Sequence, residues 1–330
     1  MTRPLAMAAL LAALAAPAAG QTIKVGLSLP ETLPGFDFVN GMYKLFKAEV
    51  EANSDLKVDL VFGSALGSPA DRLTQMRRGI IQMSDNSEGT YAAIYPDIQV
   101  LQTPYLFPDE RTAWKVLDGP FGQEMAEDIR RKTGIRVLGW WESGGFKHFS
   151  ANRPITSPAD MKGLKMRVLG PLATIPVEAM GASAAPVPFN ELYTALRTGV
   201  VDGQDNAIAV FNLVKLYEVQ SHLSLTRHTY AFGPLGINDA FFSSLPEETQ
   251  RVIERAAARA IAFNRETSRA VEAEALDFAR RQGVEVIELT DAQRAAFRDA
   301  MQPPALEWLR ANIDTPARLD AAIAAVAAAR

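Results

Sequence analysis

Between Pro246 and Gly283 the chain contains neither glycine nor proline. The preceding Ser244-Leu245-Pro246-Glu247 reads as a capping box with proline inside it, so a helix is expected from Glu247 to Arg281. Those 35 residues would extend ~52 Å at ~1.5 Å per residue, more than the width of a single small domain. Apolar residues align at Val252, Ile253, Ala256, Ala260 and Phe263, then again at Val271, Ala275 and Phe278, leaving Asn264 to Arg269 polar. Two buried stripes flanking a wet middle describe a strut between two domains. The alternative is a pair of ordinary helices with an unmarked break near Asn264.

The length of 330 residues agrees with two domains of roughly 100 to 200 residues each. Gln21–Ser28 alternates in the strand period, Phe38–Ala52 is apolar in the helical period, and Leu56–Phe62 alternates again. Ser68-Pro69-Ala70-Asp71 starts a helix that runs to about Gly79. Further strands are expected at Ile81–Met83, before the Thr103–Phe107 corner, at Ile135–Trp141, Leu164–Val168 and Ala185–Val187. Helices are expected at Glu110–Lys132, Leu172–Met180 and Phe189–Thr198, the last closed by Gly199. Strands alternating with helices predict an α/β fold with parallel sheets covered on both faces. No internal repeat is evident by inspection.

Residues 1–20 form a separate segment: one charge at Arg3, an apolar run from Leu5 to Ala16, then Pro17-Ala18-Ala19-Gly20. Basic start, apolar middle and small-residue end predict a cleaved secretory signal peptide, too short to span a bilayer. With no cysteine after it, no lipid anchor is expected, and the product is a periplasmic protein. A net charge of −4 and no basic run longer than the tripeptide Arg130-Arg131-Lys132 argue against nucleic acid and anionic membrane surfaces as partners. The absence of cysteine removes disulfides, thiolate nucleophiles and iron–sulfur clusters. The three histidines, His148, His222 and His228, form no ligand pattern, so no metal or cofactor is expected. Phosphate loops, dinucleotide turns and nucleophile elbows are missing from the sequence, and no enzyme activity is expected.

Arg167 ends Lys162-Gly163-Leu164-Lys165-Met166-Arg167-Val168, a turn feeding a short strand. A guanidinium at a strand end lies where open α/β sheets bind ligands, and its fork can grip a carboxylate with two parallel hydrogen bonds. The run Asp160 to Val168, with Pro188 to Leu196 and Gly199-Val200-Val201-Asp202-Gly203-Gln204-Asp205-Asn206, resembles the extracytoplasmic solute-binding proteins of TRAP transporters, the DctP family. Leu66-Gly67, Pro104-Tyr105-Leu106-Phe107, Asp118-Gly119-Pro120 and Leu245-Pro246-Glu247-Glu248 extend the resemblance over nearly the whole mature chain.

That resemblance implies a two-domain periplasmic binding protein fold with a ligand cleft between the domains and a long helix spanning both. The expected division is 21–144 with about 232–262 as domain I, and 145–231 with about 263–330 as domain II. It also implies a monomeric receptor that delivers a small organic acid, of sugar-acid or C4-dicarboxylate type, to small and large membrane permease subunits. Within the family pattern Arg167 matches the carboxylate-binding arginine, Asn206 an asparagine that hydrogen-bonds the ligand, and Phe189 an aromatic lining the pocket. Lys147 stands where many members have a second arginine, a departure that loses a bidentate grip. Ser87 and Glu88 lie near a glutamate position of sialic-acid binders. Trp140, Trp141 and Glu142 precede Lys147, and of two adjacent strand tryptophans one is expected in the core. Trp141 and Glu142 are taken as wall residues, and His228 as structural. Lys147 and the Trp140-Trp141-Glu142 wall favour a hydroxylated acid over a symmetrical dicarboxylate. A receptor for a membrane sensor kinase, and an exported hydrolase using Asp205 or Glu142 beside His148, remain the alternatives.

Overall fold

The computed structural model describes residues 21–32 and 38–330. The expected signal peptide lies outside the described residues. No described helix is long and apolar enough to cross a membrane.

Ten strands form the described sheet: β1 Thr22–Gly26, β2 Lys57–Val61, β3 Met83–Ser84, β4 Ile135–Ala151, β5 Lys165–Val168, β6 Ser183–Pro186, β7 Gly203–Ala207, β8 His222–Ser224, β9 Tyr230–Asn238 and β10 Glu285–Ile287. The main path runs β2-β1-β3-β9-β4-β7-β5-β6, with β8 on β4 and β10 on β8. At its ends the sheet is parallel, as β1 pairs with β2 and β3, and β5 with β6 and β7. The middle is antiparallel, β4 pairing with β9 and β7. The expectation of wholly parallel sheets therefore holds only for the outer strands of each lobe. Two crossing strands carry the chain between lobes, and strands that run both ways must pair antiparallel.

The path is palindromic: the order β2-β1-β3 is repeated as β6-β5-β7. This exposes an internal repeat that inspection of the sequence misses. Residues 71–86 and 191–206 match at Thr74/Thr194, Arg77/Arg197, Gly79/Gly199, Asp85/Asp205 and Asn86/Asn206. The turns that end the two helices share one hydrogen-bond pattern: Arg78 N to Thr74 O (3.1 Å) and Thr198 N to Thr194 O (2.9 Å), then Gly79 N to Met76 O (3.1 Å) and Gly199 N to Leu196 O (3.2 Å). Gly79 and Gly199 adopt φ of 72° and 71°, the left-handed conformation that closes a helix and favours glycine.

Several boundaries differ from those read in the sequence. The segment before the Thr103–Phe107 corner is a 3-10 helix, Pro96–Gln102, rather than a strand. The expected helix from Glu110 to Lys132 is two, Glu110–Asp118 and Pro120–Thr133, broken where Gly119 takes an extended conformation before the N1 proline. The Ile135–Trp141 strand continues to Ala151 through register shifts between Val137 and Trp140 and between Glu142 and Gly145. Such bulges bend a strand without ending it, which lets one strand serve both lobes.

Helix Glu247–Arg281 is continuous over its 35 residues and packs on helix Phe38–Asn53, β4 and helix Ile208–Leu213. Its start departs from the expected capping box: Pro246 is the N-cap and Ser244 Oγ donates to Phe241 O. The middle is wet on one face, where Glu266 is exposed, and buried on the other. Asn264 and Ser268 are 0% exposed, whereas Phe263, expected in a buried stripe, is 37% exposed. Asn264 accepts from Glu142 N (2.7 Å) and donates to Phe38 O and Glu142 O (3.1 Å each), and Ser268 Oγ donates to Glu142 Oε1 (2.6 Å). The polar block thus bonds the strut to β4 at the crossing. Gly145 permits the approach, because a Cβ there would stand 2.2 Å from Arg269 Nη2. The C-terminal helix Ala317–Ala329 packs on helix Glu110–Asp118 and on Pro96–Gln102.

Candidate ligand site

A cavity of about 460 Å³ opens between the ends of the two parallel units, within the range of small-molecule sites. The lobes meet at its rim, where a Cβ on Gly89 would lie 3.0 Å from Leu169 Cγ and 3.1 Å from Leu169 O. Arg167, Asn206, Lys147 and Phe189 all line the cavity, as do Trp141, Glu88 and Ser87.

Arg167 is the third residue of the four-residue strand β5 and only 3% exposed. Its Nε donates to Val187 O (3.0 Å), which fixes the plane of the guanidinium, while Nη2 has no hydrogen-bond partner. Burial pulls this guanidinium below its usual pKa, against the opposing effect of the Asp205 and Glu88 carboxylates. A buried cation with an idle donor is costly unless an anion completes it.

Lys147 sits on β4 opposite Ala207, and Asn206 on β7 opposite His148. Lys147 Nζ bonds Glu88 Oε1 at 2.8 Å. Burial pulls its ammonium down, and the Glu88 and Asp205 carboxylates outweigh burial, so it titrates above its usual value. Glu88 begins a short helix, Glu88–Tyr91, with Ser87 at its N-cap. Asn206 Nδ2 donates to Gln204 Oε1 at 2.5 Å, leaving its carbonyl oxygen for a donor from the cavity. Phe189 opens a 3-10 turn after Pro188 and adds an apolar wall beside Val187.

The tryptophans divide as strand alternation requires. Trp140 packs edge-on against Phe232 in the core, at 5.9 Å between ring centroids, and Trp141 faces the cavity. Glu142, one residue further on, is turned away, which corrects its reading as a wall acid. Its carboxylate accepts from Ser268 Oγ, Arg269 Nε (2.9 Å) and Tyr230 OH (2.7 Å), and is wholly buried. Burial, then Glu142, pushes the Tyr230 phenol well above its usual range, so it stays a donor to that carboxylate.

One acid of the site was not read from the sequence. Asp85 lines the cavity in the first lobe, bonded by Ser28 N (2.7 Å), Ser28 Oγ (3.1 Å) and Arg72 Nη2 (2.9 Å). Burial raises its carboxyl, opposed by Arg72 and Ser28. Behind Arg167 lies Asp205, bonded to His228 Nε2 at 3.2 Å, and His228 Nδ1 meets Thr226 Oγ1 at 2.8 Å. Burial works to raise Asp205, but Lys147, His228 and Arg167 hold it well below the usual carboxylate range. His228 stacks on Phe149 at 4.2 Å and burial lowers its pKa despite Asp205, so it is neutral at pH 7 and structural in its contacts. The repeat would have identified Asp85, since it aligns with Asp205. The arrangement can hold an anion and hydrogen-bond its polar substituents.

The family profile for DctP, bacterial extracellular solute-binding protein, family 7, matches residues 30–310. The 2,3-diketo-L-gulonate-binding periplasmic protein YiaO of Escherichia coli K12 is 35% identical over 248 residues, 75% of each chain. The C4-dicarboxylate-binding periplasmic protein DctP of Rhodobacter capsulatus is 31% identical over 302 residues, 89% of each chain. The crystal structure of the sugar acid binding protein DctPAm of Advenella mimigardefordensis, in complex with galactonate, superposes with a TM-score of 0.88 at 30% identity, covering 94% of this chain and 99% of that one. With its two-domain α/β architecture and central cleft, the chain belongs to the DctP family of bacterial extracellular solute-binding proteins, which are receptors and not enzymes.

Proposed function

We propose that this protein is the periplasmic receptor of a TRAP transporter, capturing a small organic acid of sugar-acid or C4-dicarboxylate type and delivering it to the small and large membrane permease subunits. The observation that carries this reading is Arg167: buried, lining the cavity, with Nη2 unpartnered. A ligand carboxylate supplies the missing acceptors. Asn206 orients a hydroxyl or the second carboxylate oxygen, and Phe189 with Trp141 excludes water, strengthening the ion pair in the lower local dielectric. Relatives named for diketogulonate, C4-dicarboxylates and galactonate support the ligand class.

The domain division follows 21–144 with about 232–262, and 145–231 with about 263–330. The last helix is an exception and moves with the first domain, on which it packs. The receptor acts as a monomer, since the cleft is complete within one chain. No observation favours kinase sensing or hydrolysis. The test is a thermal-shift and calorimetric screen with D-galactonate, 2,3-diketo-L-gulonate and succinate. Ligand at about a hundred times Kd adds ~2.7 kcal/mol to stability. Arg167→Ala abolishes that shift; a variant that binds as the wild type does would sink the reading.

A further inference from the structure

Among the described residues four charged side chains line the cavity: Asp85, Glu88, Lys147 and Arg167. They are not equally available. Asp85 is engaged by Arg72 and Ser28, and Lys147 by Glu88 at 2.8 Å across the cleft, one partner in each lobe. Among the described lining side chains, the buried polar atoms without a partner are the donors Arg167 Nη2 and Trp141 Nε1 and one acceptor, Glu88 Oε2. Among the described residues the lining holds two cations and two anions. Balance persists one layer back, where Arg72 and Asp205 add one charge of each sign, and His228 is neutral.

We propose that Glu88 is the specificity-determining residue: paired with Lys147 it withdraws the second cation that a dicarboxylate needs, while its free Oε2 accepts a proton donor from the ligand. The ligand is then a hydroxylated monocarboxylate, its acid group on Arg167 and a hydroxyl on Glu88. This rests on the reading of Arg167 as the carboxylate anchor and deepens it. A hydroxyl satisfies an acceptor whose burial is otherwise uncompensated. A second carboxylate at that end would meet a carboxylate in a desolvated site, with the Lys147 ammonium already neutralised. The same geometry explains the use of lysine at a position where the resemblance places an arginine. A compact ammonium holds one oxygen of Glu88 and leaves the other open, which a planar fork gripping both oxygens would not.

The test uses pairs of acids that differ only in a terminal CH2OH oxidised to a carboxylate: D-galactonate with galactarate, and D-erythronate with meso-tartrate. By calorimetry the wild-type chain binds the monocarboxylate of a pair at least tenfold more tightly. Glu88→Gln, which keeps the shape and frees Lys147, lowers that ratio at least tenfold by raising affinity for the diacid. Adding Lys147→Gln removes the gain. A wild type that prefers the diacids, or binds none of the four, overturns the proposal, and so does a folded Glu88→Gln whose ratios are unchanged. If Glu88→Gln fails to fold, the wild-type ratios decide alone. Failure of the anchor reading looks different: Arg167→Ala would then bind every acid as the wild type does.

Discussion

The two lobes repeat one unit and use it oppositely. Registers Val25↔Met83 and Met166↔Gly203 place Gly26 of the first lobe where the second has Arg167, while the repeat places Arg72 where the second has Leu192. Each lobe therefore has one arginine near its shared acid, Asp85 or Asp205, but from a different element. In the first the arginine comes from the helix and lies over the bare strand: a Cβ on Gly26 would meet Arg72 Cδ at 2.6 Å. There it reaches Asp85 (2.9 Å), Ser84 Oγ (3.2 Å) and Gly67 O (2.7 Å), and its bonds are used up within the lobe. In the second it comes from the strand, its helix neighbour is apolar, and the acid turns to His228 instead. The difference teaches that a buried arginine beside an aspartate is structural when its donors are satisfied and a ligand anchor when one is left idle.

The comparison breaks most visibly at Arg72. Arg72→Ala leaves Asp85 buried and unpaired, and should cost about 3 to 5 kcal/mol in urea unfolding; a loss under 1 kcal/mol would show that the first lobe does not depend on its pair. Arg167→Ala is the opposite case. It removes an uncompensated buried cation, so the urea midpoint should stay level or rise, whereas ligand affinity falls roughly a hundredfold, about 2.7 kcal/mol. Equal effects of the two substitutions on stability would erase the contrast. Asn206→Ala should weaken binding by about 1 kcal/mol, the net value of one hydrogen bond, with a melting temperature like that of the wild type.

The smallest effect concerns pH, because the second lobe alone of the two repeats has buried histidines behind its arginine. Burial first, then Arg227 and His228, hold His148 well below its ordinary 6.5. Above that pH both folded and unfolded chains carry it neutral. Below it the unfolded chain takes up a proton that the folded chain refuses, so stability falls as pH falls. Melting temperature should decline between pH 7 and 5, and His148→Gln should flatten that slope; an unchanged slope would exclude the histidine as its source.

Much of this was legible in the residues. Periodicity located β1, β2, β5 and the helices that follow them, because one buried face imposes a period of 2 or 3.6 on the chain. The strut was legible to its last residue, since nothing between Pro246 and Gly283 can break a helix. Seven of the eight expected site residues line one cavity: Arg167 and Asn206 lie near the ends of short strands, Ser87, Glu88 and Phe189 at the starts of short helices, and Trp141 and Lys147 within β4 on either side of its second bulge. Glu142 was misread because its partners, Ser268 and Arg269, are more than a hundred residues away.

Local patterning in the sequence determined most of the elements, and together with chain length and the family resemblance it pointed to two lobes and to Arg167. Only the tertiary structure decided which charges remain free. Pairing of Arg72 with Asp85, of Lys147 with Glu88 and of Glu142 with the strut is set by which side chains the packed lobes bring within about 3 Å, and desolvation makes each such pairing consequential. What a buried charge does depends on its neighbours in space, and no periodicity along the chain records them.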